Sequence, residues 1–377
     1  MSGTKLVELL HRTWESAVFG DSYPLSAAVG GPSILQRIDR MRALMESQLA
    51  PILAEWMRPT SPAQVSEIVR QIAPKSVAFC SAIAAGELED TERLAQAGLT
   101  IALVYWADHR MDRGDLAMEA AILQRAGWRS LAAQAPIADA ALVGTRMVGL
   151  AAIERNIRAF SRPDDAAILI DNVLHEVLCR EVRVRELSRL FGQRGPDSFW
   201  EAYAHEVAEH SVLNVALVYV TAAIYAIYRR GDPSLPPLSQ ILADPAVMRF
   251  LNGPAAGMIR VLDDLGDREI DSGAEPEWGQ FTLNIFNQPH PLWASALLQV
   301  SGVPGADAAE SVVQALQAGD QASCAHVAQT FVDAVRAEFA GLPAAVYRAN
   351  QLFLDIGKRV IEAGYVNAIG DVALADQ

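Results

Sequence analysis

The sequence predicts an all-α protein: a single-domain helical bundle over residues 1–377, with an N-terminal helical arm across about residues 1–60. Three observations predict it. Apolar residues recur at helical spacing along most of the chain. The sequence holds no alternating strand series, no fixed-period repeat and no low-complexity tract. Gly and Pro clusters fall mostly between the periodic segments, where they punctuate helices. A chain that is 51% apolar, with 25 Gly and 19 Pro, is globular and long enough to bury a large core.

The elements follow in order. Gly30-Gly-Pro-Ser33 precedes a helix over Leu35–Trp56. Ser61-Pro-Ala-Gln64 reads as a capping box with Pro at the first helical position, opening a helix over Val65–Ala73. A helix over Ser76–Ala85 follows, and Asp90 or Thr91 caps the next, an apolar run through Leu99–Ala107 that ends in acid. Helices are then expected over Leu116–Gln134, Ile137–Phe160, Asp164–Phe191 and Ser198–Arg230, up to a firm break at Gly231–Pro237. Beyond it lie an apolar helix from Ala255, helices over Leu292–Val300 and Asp307–Ala318, and a long pattern over Gln321–Ala363 interrupted at Gly341-Leu-Pro343. Val212–Tyr228 approaches membrane-span length, but it holds Asn214 and reads as a buried core helix, so stable membrane insertion is not expected.

Charge and composition exclude several classes. A net charge of −14 opposes nucleic-acid binding, which needs a basic stripe. Cys80, Cys179 and Cys324 are too widely spaced for a disulfide framework or a zinc site, and they imply a reducing, cytoplasmic setting. Residues Met1–Gly20 contain Lys5, Glu8, Arg12 and Glu15 and no continuous apolar leader. His205-Glu-Val-Ala-Glu209-His210 misses the zinc-protease spacing by one residue, and Asp171, His175 and Cys179 lack a second ligand pair. P-loop and dinucleotide-binding glycine motifs are absent from the sequence.

Two acidic clusters carry the chemistry. In the first, Asp108, Asp112 and Asp115 follow an apolar helix at i, i+4 and i+7. In the second, Asp263, Asp267 and Asp271 recur at i, i+4 and i+8, with Asp264 alongside. Such positions share one helix face. Two carboxylates about 5–6 Å apart repel by roughly 3 kcal/mol at an effective dielectric of about 20. Carboxylates at a helix C-terminus also oppose the macrodipole. Water or a hard cation must compensate, and Mg²⁺, which takes oxygen ligands alongside substrate phosphates, is the expected cofactor.

Asp263-Asp264-Leu-Gly-Asp267-Arg-Glu-Ile-Asp271 resembles the second metal motif of the class I terpene synthases, within the isoprenoid synthase superfamily. That motif has the form N/D-D-x-x-S/T-x-x-x-E, with Asp here in place of Ser/Thr and of Glu. Gly273 and Asn284 stand where the family carries a Gly and an Asn. The same stretch is similar to the second D-D-x-x-D of the trans-prenyltransferases and to aspartate-rich stretches of the phytoene synthases. The first cluster resembles the D-x-x-x-D form of the family's first motif, with Asp108 and Asp112 at the acidic positions and Ala107 where a further acid is common.

The resemblance implies an all-α fold of the class I isoprenoid synthase type and a Mg²⁺-dependent enzyme, a carbon–oxygen lyase. The enzyme would ionise a linear prenyl diphosphate, its small-molecule partner, and cyclise the allyl cation. Metal ligands would be Asp108, Asp112, Asp263, Asp264, Asp267 and Asp271, with Asp108, Asp112 and Asp264 the catalytic ones. Diphosphate binders would come from Arg268, Arg230, Tyr347 and Arg348. Aromatic faces stabilise cations, and Phe79, Tyr105, Trp106, Tyr219 and Tyr225 are the expected pocket residues. The alternatives are a prenyltransferase that joins isoprenoid units and a catalytically silent helical binding protein. The segment Ser272–Pro291, without helical period, is expected to be a lid or a packed loop. Chain length, product and assembly, a homodimer included, stay open.

Overall fold

The computed structural model describes residues 32–56, 61–66, 68–70, 73, 76, 80, 90–128, 139–266, 283–303 and 306–375. Among them every regular element is helical. In chain order these are α1 (Pro32–Trp56), α2 (Thr91–Asp112), α3 (Leu116–Arg125), α4 (Ala140–Phe160) and α5 (Pro163–Asp171). A π-helical turn, Asn172–Leu178, joins α5 to α6 (Cys179–Phe191). Then come α7 (Pro196–Leu213), α8 (Leu217–Gly231), α9 (Leu238–Ile241) and α10 (Pro245–Phe250), and a second π-helical turn, Leu251–Ala255, leads into α11 (Ala256–Gly266). The chain closes with α12 (Pro291–Val300), α13 (Ala306–Ala318), α14 (Gln321–Ala340), α15 (Ala344–Ala349) and α16 (Gln351–Ala375).

Local signals explain most boundaries. Ser61 and Gln64 form the expected capping box: the Gln64 amide donates to Ser61 Oγ at 3.3 Å and the Ser61 amide to Gln64 Oε1 at 3.2 Å. Asp90 caps α2 through the Arg93 amide, and Asp139 caps α4 through the Ala141 amide. Proline occupies the first turn of α5, α7, α10 and α12, where its missing N–H costs nothing. The helix expected over Leu116–Gln134 ends at Arg125, because Gly127 turns the chain at φ +82°. The interruption expected at Gly341 separates α14 from α15.

One expected helix is broken. Ser198–Arg230 reads as continuous, yet α7 ends at Leu213 and α8 begins at Leu217, with Ala216 at φ +60° between them. A left-handed alanine has no glycine or proline to announce it, and it costs of order 1–2 kcal/mol. Pro196–Gly231 is long and apolar enough to cross a membrane, but 72% of its most apolar window is buried within the protein, as in a core helix. The second π-helical turn has a plainer cause. Pro254 removes a backbone donor, and Gly253 takes non-helical angles of φ −95° and ψ −111°.

The chain divides into two compact units. The first, here the N-unit, spans Tyr23–Cys179 and Tyr219–Ile241; the C-unit includes Arg180–Val218 and the chain from Leu242 onward. In the N-unit, α1, α2 and α4 pack against one another, with α3 on α4. Met41, Met45, Leu49 and Leu53 form an i+4 stripe on α1 that is fully buried. It meets Leu99 and Leu103 of α2 and Leu150, Ile153 and Ile157 of α4 in a common core. Gly149 lets the Trp56 indole lie on the backbone of α4: a Cβ there would sit 2.0 Å from a ring carbon. In the C-unit, α7 pairs with α12, and α11 packs on α14 and α16. Met258, Val261, Leu262 and Leu265 make the buried face of α11, at i, i+3, i+4 and i+7. Trp200 and Trp293 stack at 4.6 Å in the α7–α12 interface.

Candidate functional site

The first acidic motif ends α2, in the N-unit. Asp108 and Asp112 lie on that helix, and the Asp108 side chain is partly exposed. Beside it, burial together with Arg113 and Arg110 pushes the His109 pKa down to about 4, so His109 is neutral at physiological pH. Trp106 is buried, its ring 5.3 Å from that of His109, whereas Tyr105 is half exposed.

Asp115 does not continue the row. The helix stops at Asp112, Gly114 turns at φ +74°, and Asp115 becomes the N-cap of α3, its Oδ1 accepting from the Met118 amide at 3.1 Å. Its Oδ2 accepts from Arg110 Nε at 2.9 Å and from Arg146 Nε at 3.0 Å. Arg146 also donates to the Trp56 carbonyl. Asp115 therefore ties α2, α3 and α4 together, with α1 reached through Arg146, and both of its oxygens are engaged within the protein.

The second motif ends α11, in the C-unit. Asp263 stands on the outer face, its side chain 53% exposed, with Arg260 Nη1 at 3.4 Å. Asp264 is turned inward and is 1% exposed. One carboxylate oxygen pairs with Arg260, one helical turn earlier, and the other accepts the Ile285 amide at 3.2 Å. Asn284, also fully buried, donates its side-chain amide to the Asp264 carbonyl at 2.6 Å. The backbone carbonyls near a helix end lack intrahelical donors, and Asn284 supplies one.

The motif's middle aspartate thus anchors the returning chain. Leu283, Ile285 and Phe286 are buried behind it, and the Leu283 amide reaches Ser188 Oγ at 3.4 Å. This end of the segment expected as a lid is a packed turn. Asp267, Arg268, Asp271 and most of that segment lie outside the described residues, as does Phe79. Arg260 was not singled out by sequence reasoning, although its place three and four residues before two aspartates is the i, i+3 and i, i+4 signal of a helical ion pair.

The remaining candidates separate by role. Tyr219 and Tyr225 are N-unit core residues. Burial pushes the Tyr225 pKa up to about 12 while its hydroxyl donates to the Pro236 carbonyl at 2.9 Å. Arg229 is committed to Asp165 at 2.6 Å and to Asp164 at 2.8 Å. Arg230 is exposed, and its Nη1 donates to the Ser161 carbonyl at 2.5 Å. In the C-unit, Tyr347 donates to Asp355 at 2.6 Å, with Lys358 Nζ at 3.4 Å from the same hydroxyl, while Arg348 is exposed.

Among the described residues no group of three or more His, Cys, Asp or Glu side chains stands together in a way that would hold a metal ion. Mg²⁺ is held by one or two carboxylates plus substrate phosphates and waters, so it does not require such a cage. By exposure the carboxylates that fit best are Asp108, which is partly exposed, and Asp263, whose side chain is 53% exposed; Asp115 is taken up by two arginines, and Asp264 would have to leave Arg260 first. No protein-family profile matches the chain, and no curated protein matches it.

Proposed function

We propose that the chain is a Mg²⁺-dependent, cytoplasmic terpene synthase that ionises a single linear prenyl diphosphate and cyclises the resulting cation. The observation that carries the reading is the end of α11. There the D-D-x-x-D-x-x-x-D sequence presents Asp263 outward while Asp264, Arg260 and Asn284 lock the turn behind it. In this reading Asp108, Asp112 and Asp263 are metal ligands, and Asp267 and Asp271 complete the second motif. Asp264 is the positioning residue. It holds the helix end, and the chain returning through Ile285, in one geometry. Mg²⁺, when bound with the substrate's phosphate oxygens, supplies Lewis-acid assistance to the departing diphosphate. Burial of Trp106, two residues before Asp108, supports partial exclusion of water beside the first motif.

The test is incubation of the protein with C10 to C25 prenyl diphosphates and Mg²⁺, followed by extraction of hydrocarbons and alcohols. Product from one allylic diphosphate, lost with a chelator and in Asp108→Ala and Asp263→Ala, is the expected result. Product that appears only when isopentenyl diphosphate is added, with a matching rise in carbon count, replaces this reading with a prenyltransferase. A second reading, a helical binding protein without metal chemistry, is favoured by one observation: both oxygens of Asp264 are already engaged within the protein. It is the reading that survives if no diphosphate is consumed.

A further inference from the structure

An arginine-lined cleft lies in the N-unit, where α4 ends, α5 begins and α8 ends. Its volume is about 570 Å³, and its lining includes the basic Arg158, Arg162 and Arg230 and the apolar Pro163, Ala166 and Ile170. The apolar residues fall at i, i+3 and i+7, one face of α5. Among the described residues no carboxylate lines the cleft.

The surrounding ion pairs leave positive charge unspent. Glu154 is shared between Arg125 at 2.5 Å and Arg158 at 3.3 Å. Asp164 serves Arg229 at 2.8 Å and lies 3.8 Å from Arg162 Nε. Asp165, fully buried, belongs to Arg229. Four guanidiniums therefore share three carboxylates, and Arg230 meets a backbone carbonyl, in a chain whose net charge is −14. Arg162 Nε is buried and makes no hydrogen bond. A buried donor left unmet costs free energy, and three guanidiniums around one cleft repel one another unless an anion sits among them.

The frame is fixed before any ligand arrives. Asp165 accepts from Arg229 at 2.6 Å and from the Leu238 amide at 3.2 Å, tying the end of α8 to α5. Arg230, the next residue, is held by the Ser161 carbonyl. Of the three cleft arginines Arg230 is the one held in this way, and a guanidinium so fixed binds an anion with little ordering cost. A carboxylate is satisfied by one bidentate arginine, whereas a phosphoryl group offers several oxygens to several forks. The volume is that of a small-molecule site.

We propose that this cleft binds a small organic phosphate or diphosphate, its anionic head among Arg158, Arg162 and Arg230 and its short apolar part along Pro163, Ala166 and Ile170 of α5. None of the lining residues belongs to either aspartate motif, and the proposal does not depend on the reading of their chemistry.

The test is isothermal titration of the full-length protein in excess EDTA, so that no metal-dependent binding contributes. Inorganic phosphate, inorganic pyrophosphate and n-butyl phosphate are the probes. Pyrophosphate should bind more tightly than phosphate, and n-butyl phosphate at least as well as phosphate. Arg158→Gln and Arg162→Gln should each weaken pyrophosphate by about tenfold or more, the worth of one charge-assisted hydrogen bond. Arg249→Gln, a surface arginine paired with Glu338 in the C-unit, should bind like the wild type. Arg158 is 59% exposed, so its variant keeps the fold. Absence of pyrophosphate binding at millimolar concentration overturns the proposal, as does binding unchanged in both cleft variants. Arginine-dependent binding of anionic phospholipid vesicles without any binding of the free phosphates overturns it too, in favour of a membrane surface.

Discussion

Removing the Asp264 carboxylate separates an anchoring residue from an exposed ligand. Asp264 is 1% exposed and its partner Arg260 has a side chain 12% exposed, so Asp264→Ala leaves a nearly buried guanidinium facing an apolar gap. Breaking a buried pair from one side costs about 3–5 kcal/mol. The Ile285 amide loses its acceptor as well, a further cost of about 1–3 kcal/mol if it finds no water. Arg260 keeps Asp263 at 3.4 Å and some solvent, which recovers part of this, so the expected net is about 3–4 kcal/mol. At about 2–4 °C per kcal/mol, the apparent Tm should fall by roughly 6–16 °C. Asp263→Ala, at an exposed position, should stay within about 0.5 kcal/mol of the wild type. Both are measured by thermal and urea unfolding at pH 7 in EDTA, so that metal plays no part. Arg260→Met combined with Asp264→Leu should recover much of the loss, since an apolar pair of similar volume replaces a buried ion pair at little cost. An Asp264→Ala protein that melts within about 1 °C of the wild type would refute the anchoring role and return Asp264 to the set of free ligands.

Two further predictions rest on packing and on titration. Gly149→Ala places a methyl 2.0 Å from the Trp56 ring, which is itself fully buried, so the indole must move; a loss of about 1–3 kcal/mol in urea unfolding and an altered near-ultraviolet circular dichroism band are expected, and an unchanged band would contradict the packing. Burial raises the Glu362 pKa from 4.5 to about 7 despite Lys358 and Arg359, so the folded state holds a proton the unfolded chain has lost, and stability declines as pH climbs from about 4.5 to about 7 by at most about 3 kcal/mol. Glu362→Gln should flatten that slope between pH 5 and pH 8, and parallel urea midpoints in the two proteins would sink the assignment.

Most of the fold was legible because helix signals are local. The capping box at Ser61, the cap at Asp90 and the break at Gly341 each depend on a few neighbouring residues, and each stands in the structure, whereas the helix expected from Ile137 starts at Ala140, behind an Asp139 cap that the sequence reading passed over. What was not legible depends on contacts remote in sequence or on conformations no residue type announces. Ala216 at φ +60° looks like any helical alanine in the sequence. The π-helical turn at Asn172–Leu178 contains no proline or glycine. The division into two compact units recruits Tyr219–Ile241 to helices that precede it by scores of residues, a pairing that periodicity along the chain does not encode.

The acidic motifs show where spacing misleads. Asp108 and Asp115 share a face only if the helix continues between them, and Gly114 ends that continuation, so Asp115 caps the next helix and clamps two arginines. Asp263 and Asp264 are adjacent and therefore point about 100° apart on α11, which puts one in solvent and the other in the core. Counting carboxylates treats these four as equivalent, whereas their partners divide them into two kinds. Arg260, three and four residues upstream, was the readable signal: an arginine so placed before paired aspartates draws at least one of them into an ion pair. In a motif so built, the residue most constrained by the fold is not the one most available to a cation. The consequence for mutagenesis is direct. Loss of activity in Asp264→Ala, taken alone, does not assign a ligand, because a displaced Ile285 turn would abolish activity as well; of this adjacent pair it is the exposed Asp263, whose removal leaves the fold in place, that reports on metal binding.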